Sequence, residues 1–298
     1  MKIGLIGLGK MGYNLALNMK DKGIEVIAYD ISDKAMEQIA NEGVQTAKSY
    51  AALIERLDSP RILWLMVPSG KIVEDVIQTV SALLSKGDIL IDGGNSMYLD
   101  SIRRHDSLKT KAIHFIDCGT SGGISGAREG ACLMVGGDAG IVESIETLFK
   151  SIAKKDGYGY MGPSGSGHFV KMVHNGIEYG MMQAIGEGFE LMNSSRYGFD
   201  FQKIAQVWSN GSIIEGLLMR NVKDAFTKDA SLAKIQGRID DSGEGQWMVE
   251  EALRSKVALP VITQSLYSRY KSKDDLKFTE KVVAAMRNEF GGHAVYQK

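Results

Sequence analysis

Two rhythms of apolar and polar residues run along this chain. Up to about Gly162, short apolar runs (KIGLIG, EVIAYD, RILWLMVP, DILIDGG, AIHFIDCG) end in turn residues and alternate with amphipathic stretches such as Lys71 to Leu84. A strand solvated on one face alternates in hydrophobicity, whereas one covered on both faces reads as a continuous apolar run. The pattern therefore predicts an α/β, Rossmann-type, doubly wound and mostly parallel sheet over residues 1–162, with its ligand beyond the carboxyl ends of the strands. After Pro163 the strand signals stop. Helical periodicity then covers Ser164 to Asn193, Gln202 to Trp208, Ile213 to Phe226, Gln246 to Lys256, Pro260 to Tyr270 and Thr279 to Glu289. Residues 163–298 are thus expected to form an all-α C-terminal domain, with the long helix after Gly167 leading out of the first. The charged stretch Tyr270 to Lys277 reads as solvated loop or helix end.

Composition narrows the class of function. Thirty-five basic residues against thirty-six acidic ones leave a net charge of -1, which disfavours a chain built to hold nucleic acid or an anionic membrane and favours a small-molecule ligand. Cys118 and Cys132 lack CxxC spacing or a neighbouring His pair, so they read as two buried thiols rather than a disulfide framework or a zinc site, and no metal is expected. The opening KIGLIGLG is too quickly broken by Gly and Lys10 to be a signal peptide, which gives a cytoplasmic expectation. The fifteen methionines and Trp64, Trp208 and Trp247 read as core fillers. His105, His114 and His168 have no ligand spacing and stay unassigned.

Gly7, Gly9 and Gly12 form GxGxxG directly after an apolar run and before a helical stretch. Such glycines allow a tight turn and let a pyrophosphate approach the amino terminus of the following helix. Alone the triplet is a weak signal. Here the second run, EVIAYD, closes on Asp30, where a carboxylate can accept from both ribose hydroxyls; the blander role for Asp30 is to cap the next helix. A carboxylate there also repels a 2'-phosphate, so NAD is expected in preference to NADP.

The other candidate chemistry lies in GPSGSGHFVKMVHNGIEYG. Lys171, His174, Asn175 and Glu178 stand at i, i+3, i+4 and i+7, one stripe of a helix. A stripe of this kind is most often a solvated face. The glycines at 162, 165 and 167, together with the apolar flanks Phe169, Val170, Met172, Val173 and Ile177, argue instead for a largely buried helix whose polar stripe needs a ligand. Desolvation beside a nicotinamide cation would lower the Lys171 pKa and leave an amine able to accept an alcohol proton.

On these residues the chain resembles the beta-hydroxyacid dehydrogenases, through GxGxxG, DCGTSGGISGAREGACLMVGG (Asp117 to Gly137) and GxxGxGxxxKxxxN (Gly162 to Asn175). Within them it resembles the short-form 6-phosphogluconate dehydrogenase family, through GGNS (Gly93 to Ser96), KMVHNGIEYG (Lys171 to Gly180) and RNEFGGH (Arg287 to His293). The resemblance implies decarboxylating oxidation of 6-phosphogluconate to ribulose 5-phosphate with NAD as cofactor, in the pentose phosphate pathway. It implies cofactor contacts from Gly7, Leu8, Gly9, Lys10, Met11, Gly12, Val67, Pro68, Ser69 and Asn95. Lys171 would take the 3-hydroxyl proton and Glu178 would protonate C1 of the enediol. Substrate would be held by Asn95, Ser121, Gly122, Gly123, His174 and Asn175, and its phosphate by Tyr179, Arg269 and Arg287 with His293 on the sugar hydroxyls. Without the resemblance, SGG would read as a tight turn and the two arginines as surface charges. In GEGQWM this chain has Gln246 and Met248 where the family has a basic residue and Thr, which leaves open a differently substituted sugar acid. Residues so near the tail need something to hold them, so a homodimer or homotetramer with shared sites is expected. The alternative is another beta-hydroxyacid dehydrogenase that oxidises a 3-hydroxy acid such as 3-hydroxyisobutyrate without decarboxylation.

Overall fold

The computed structural model describes residues 1–296, with Phe290 described by its backbone alone. The chain divides into two compact units, Met1–Asn175 and Gly176–Lys298.

The first unit carries the strands β1 (Lys2–Ile6), β2 (Glu25–Tyr29), β3 (Gln45–Thr46), β4 (Ile62–Leu65), β5 (Ile89–Asp92), β6 (His114–Ser121), β7 (Ala131–Gly136) and β8 (Ala153–Gly162). Between them lie α1 (Lys10–Asp21), α2 (Asp33–Asn41), α3 (Tyr50–Glu55), α4 (Lys71–Ser81), α5 (Tyr98–Lys109), α6 (Gly123–Glu129), α7 (Ala139–Ser144) and α8 (Glu146–Ile152). The strands form one sheet in the order β3-β2-β1-β4-β5-β6-β7-β8. Every neighbouring pair is parallel except β6 with β7. The doubly wound reading is met. The order reverses between β1 and β4, which places the crevice for a ligand at their carboxyl ends.

The unbroken apolar runs are explained by the two faces of this sheet. Ile62 and Trp64 of β4 join one cluster with Leu15 and Met19 of α1, while Leu63 and Leu65 join another with Leu53, Val73 and Leu108 from the helices opposite. Alternate residues of one strand thus bury on opposite sides, and each such side chain contributes roughly 1.5–3 kcal/mol. Three strands lie outside the five apolar runs. β3 is two residues long, β7 sits within ACLMVGG, and β8, an edge strand, is mostly solvated and carries Gly157, Gly159 and two lysines.

The helix α9 (Ser166–Asn193) runs from the first unit into the second. The second unit continues with α10 (Phe201–Trp208), α11 (Leu217–Lys228), α12 (Glu244–Ser255), α13 (Pro260–Ser272) and α14 (Phe278–Gly291), and no strand occurs there among the described residues. Phe189, Ala205, Met219 and Phe226 form its buried cluster. Several expected helix ends move by one or two residues, and one start moves further: the helix expected from Ile213 begins at Leu217, because Ile213 is fully solvent-exposed and Gly216 takes a φ of 154° as its N-cap. Among the described residues, no helix is long and apolar enough to cross a membrane.

Candidate active site

The GxGxxG turn joins β1 to α1. Gly7 adopts a φ of 101°, and a Cβ on Gly12 would lie 2.0 Å from the Gly7 carbonyl oxygen, so α1 starts hard against the turn. Gly9 caps α1 without a side-chain acceptor, and the first turn holds no acidic residue. Its amide groups and the positive end of the helix dipole are left for an outside anion, which suits a pyrophosphate. Asp30, just after β2, accepts from the Leu8 amide at 2.5 Å through Oδ2 and from the Ser32 amide at 2.8 Å through Oδ1. It does not cap the next helix; Ser32 does, accepting from the Ala35 amide. Each Asp30 oxygen keeps a second lone pair for a hydroxyl. A cavity of about 420 Å³ opens here, lined by Tyr29, Asp30, Asp33, Glu37 and Lys48 among others, three carboxylates to one lysine. Val67, Pro68 and Ser69 follow β4, and Asn95 follows β5 with its side chain exposed. A Cβ on Gly94 would lie 2.8 Å from the Val67 carbonyl oxygen, so these two turns pack backbone on backbone.

The start of α9 is pinned by a carboxylate that the sequence reading did not assign. Asp117, fully buried in β6, accepts from the amides of Gly165 at 2.7 Å and His168 at 2.9 Å. A negative charge at a helix amino terminus satisfies its orphan amides and opposes the dipole. His168 is itself buried, its ring 2.7 Å from the Ser101 hydroxyl. A Cβ on Gly167 would lie 2.5 Å from the Met134 carbonyl oxygen and 2.6 Å from that of Asp117, so the helix rests directly on β6 and β7.

That contact carries Lys171 over Gly119. Lys171 and Asn175 are buried, at 6% and 8% exposure. The Lys171 ammonium donates to Asn175 Oδ1 at 2.8 Å, and His174 Nδ1 lies 3.0 Å from the same oxygen. Since Oδ1 can only accept, Nδ1 carries the proton; in the neutral ring Nε2 then accepts from the Ser121 hydroxyl, 3.1 Å away. Ser121, His174, Asn175 and Lys171 form one hydrogen-bonded chain. Gly122 and Gly123 follow at φ of 111° and 63°, a left-handed turn that opens α6. Glu178, one turn further along α9, is partly exposed.

Two expectations are corrected. Of the polar stripe of α9, Lys171 and Asn175 are buried and His174 and Glu178 half-buried, while among the apolar flanks Met172 is buried but Phe169, Val170 and Ile177 are 37%, 36% and 49% exposed, so the helix is not largely buried. Cys118 is buried and its thiol pKa is pushed up by that burial, but Cys132 is exposed, because it alternates out of β7.

In the second unit, Tyr179 is buried and its hydroxyl accepts from the Ser242 amide at 3.3 Å. The Arg269 guanidinium stacks 3.4 Å above the Tyr179 ring and donates to the Asp240 carbonyl at 2.7 Å. That leaves further N–H groups of its fork for an anion. Met248 is buried, its sulfur where a Cβ on Gly176 would sit. Gln246 is exposed and donates to Glu250 at 2.8 Å. Arg287 on α14 and His293 beyond it are both exposed.

A doubly wound sheet with an anion-ready glycine turn, followed by a buried lysine on the helix leading into an α-helical unit, defines a nucleotide-dependent dehydrogenase of the beta-hydroxyacid type. The model of the NAD binding domain of 6-phosphogluconate dehydrogenase matches residues 2–162, and that of the 6-phosphogluconate dehydrogenase C-terminal domain matches residues 167–288. The chain belongs to the 6-phosphogluconate dehydrogenase family. It is 53% identical over 298 residues to the Bacillus subtilis (strain 168) protein YqeC, covering all of both chains. It is 40% identical over 300 residues to the NAD(+)-dependent, decarboxylating 6-phosphogluconate dehydrogenase of Haloferax volcanii, covering 100% of this chain and 99% of that one. The solved Plasmodium falciparum 6-phosphogluconate dehydrogenase, described apo and with NADP+ or 6-phosphogluconate, superposes with a TM-score of 0.83 at 30% identity, covering 100% of this chain and 66% of that one. The chain spans 65% and 61% of two longer Bacillus subtilis relatives, one named for NAD(+) and the other for NADP(+).

Proposed function

We propose that this enzyme oxidatively decarboxylates 6-phosphogluconate to ribulose 5-phosphate and CO2, with NAD preferred over NADP. The supporting observation is the hydrogen-bonded chain Ser121–His174–Asn175–Lys171, in which Lys171 and Asn175 are buried and the lysine lies against Gly119. Residues Gly7 to Gly12, Asp30, Val67 to Ser69 and Asn95 would hold NAD, which when bound supplies the acceptor for the C3 hydride. Lys171 takes the proton of the 3-hydroxyl as that carbon is oxidised to a ketone. The resulting beta-keto acid loses CO2, and its electron pair moves onto the ketone oxygen, to which protonated Lys171 returns the proton. Asn175 and His174 orient this region, and Ser121 with the Gly122 and Gly123 amides holds the carboxylate side. Glu178 then protonates C1 of the enediol while Lys171, now neutral, takes back the proton of the C2 hydroxyl, so that the ketone of ribulose 5-phosphate forms. Tyr179, Arg269 and Arg287 bind the phosphate and His293 the sugar hydroxyls.

The test of the reading is one steady-state grid, 6-phosphogluconate against gluconate, each with NAD and NADP. CO2 release and NADH formation with the phosphorylated substrate support it; equal turnover of gluconate would defeat phosphate recognition. Met248 takes the role of an inward packing residue, and Gln246 leaves Arg269 as the main cation offered by α12 and α13 to a phosphate.

Asp30→Asn removes the charge and keeps the shape. Losing a charge-assisted hydrogen bond costs about 1.5–3 kcal/mol, so the ratio of kcat/KM for NAD over NADP should fall by roughly tenfold or more. An unchanged ratio would remove Asp30 from cofactor choice. For Glu178→Gln, steady-state kcat should drop by about 10²-fold or more while NADH formation in the first turnover, followed by rapid mixing, stays near the wild-type rate. Equal slowing of both phases would place Glu178 before decarboxylation.

Assembly is part of the same proposal. Phe278, Val282, Val283 and Met286 of α14 are 70%, 42%, 46% and 52% exposed, as are the flanks of α9. These apolar surfaces, and the exposed Arg287 and His293, suit a homodimer or homotetramer in which the tail completes a neighbouring site. A fully active monomer on sizing would reject this.

A further inference from the structure

Outside the catalytic stripe, the first unit buries a charged cluster around Arg104 that the chemistry above does not use. The Arg104 side chain on α5 is 1% exposed and Asp92, the last residue of β5, is 0% exposed; their ion pair is 2.9 Å long. The same guanidinium donates to the Ser96 hydroxyl at 2.9 Å and, through Nε and Nη2, to Glu74 on α4 at 3.0 and 2.8 Å. Asp92 in turn accepts from the Gly94 amide at 3.1 Å and the Ser96 hydroxyl at 2.7 Å. Burial alone would push the Glu74 carboxyl up, but hydrogen bonds from Arg103 and Arg104 hold it below the ordinary range.

Taking a guanidinium and a carboxylate out of water is costly, and an apolar pair of the same size would often be as stable. What distinguishes this cluster is where its bonds end. Gly94 and Ser96 flank Asn95, so one carboxylate grips the backbone before it and the side chain after it. Asn95 itself stays exposed. Glu74 lies one turn into the helix that follows Val67 to Ser69, and the Gly94 turn abuts the Val67 carbonyl. A rigid planar fork suits bridging two segments at fixed angles.

We infer that Arg104 is a positioning residue: through Asp92, Ser96 and Glu74 it locks together the turns after β4 and β5 and so sets how Asn95 is presented to the dinucleotide. The inference rests on the cofactor role proposed above for Asn95.

The test measures NADH dissociation constants by fluorescence, melting temperature, and kcat and KM with 6-phosphogluconate for Arg104→Lys, Ser96→Ala, Glu74→Gln, Asn95→Ala and the Ser96→Ala/Asn95→Ala pair. Ser96→Ala and Glu74→Gln leave the Arg104–Asp92 ion pair in place, so they report even where Arg104→Lys does not fold. Expected are roughly fivefold or greater losses of NADH affinity in Ser96→Ala and Glu74→Gln at nearly unchanged melting temperature. In the double variant the loss should be no larger than in Asn95→Ala alone, because both changes act on one contact. Losses that add, variants that melt earlier with wild-type NADH affinity, or an Asn95→Ala variant with wild-type affinity would each overturn the inference. A wild-type protein that binds NADH without oxidising 6-phosphogluconate would defeat the substrate reading, while the cycle on NADH affinity would still decide the role of Arg104.

Discussion

Lys171→Met is expected to lower kcat for 6-phosphogluconate oxidation by about 10²–10⁴-fold, the usual worth of a positioned general base, with NADH affinity close to wild type. The side chain is 6% exposed and lies over Gly119, so an unbranched apolar replacement fits the space with little strain. The nucleotide turn lies at the carboxyl end of β1, whereas Lys171 sits over Gly119 of β6, and it should keep its ligand. Lys171→Arg sharpens the test. A guanidinium keeps the positive charge and can still donate to Asn175, but near neutral pH it cannot give up a proton and so cannot accept one. If Lys171 acts as a base, both variants fail alike. If it serves only as a cation beside the substrate, Lys171→Arg retains most of the activity. Rates of NADH formation with both variants, alongside NADH binding, separate the two roles, and full activity in Lys171→Met would reject the assignment altogether.

How far the sequence carried this picture depended on whether a feature leaves a periodic trace. Strands such as Ile62–Leu65 announce themselves because both faces are buried, and the helices of the second unit because their apolar stripes recur near every 3.6 residues. The edge strand Ala153–Gly162 has no such signature, since solvent covers much of it. The exposure of Cys132 leaves no trace in the sequence for a related reason: residue type favours burial, but register alone decides which face of β7 a side chain takes. At the site, the i, i+3, i+4, i+7 spacing placed Lys171, His174, Asn175 and Glu178 on one helix. The spacing could not show that Ser121, fifty-three residues before His174, closes the hydrogen-bond chain. Asp92, Arg104 and Asp117 were hidden for the same reason. A carboxylate in DILIDGG or AIHFIDCG is an anomaly within an apolar run, and only the fold reveals that one meets a guanidinium and the other the amides of α9.

Gly119→Ala should damage the enzyme nearly as much as losing the lysine, although Gly119 carries no functional group. Its added Cβ would lie 2.4 Å from Lys171 Cβ and 3.0 Å from the Gly167 carbonyl oxygen. The first atom is the root of the lysine side chain, so no rotamer change relieves the clash; β6 or the backbone of α9 has to move. Movement of α9 is resisted by Asp117, which holds the Gly165 and His168 amides, and by Gly167 resting on the Met134 and Asp117 carbonyls. Overpacking of this kind costs about 1–3 kcal/mol of stability, and displacing a catalytic group by about 1 Å can cost about 10²-fold in rate. The expected result is a folded protein with a lowered melting temperature, near-normal NADH affinity and kcat reduced by about two orders of magnitude. Wild-type kcat in Gly119→Ala would mean that the close approach of β6 to α9 does not set the position of the lysine, and the geometry on which the proposed proton transfer depends would have to be redrawn.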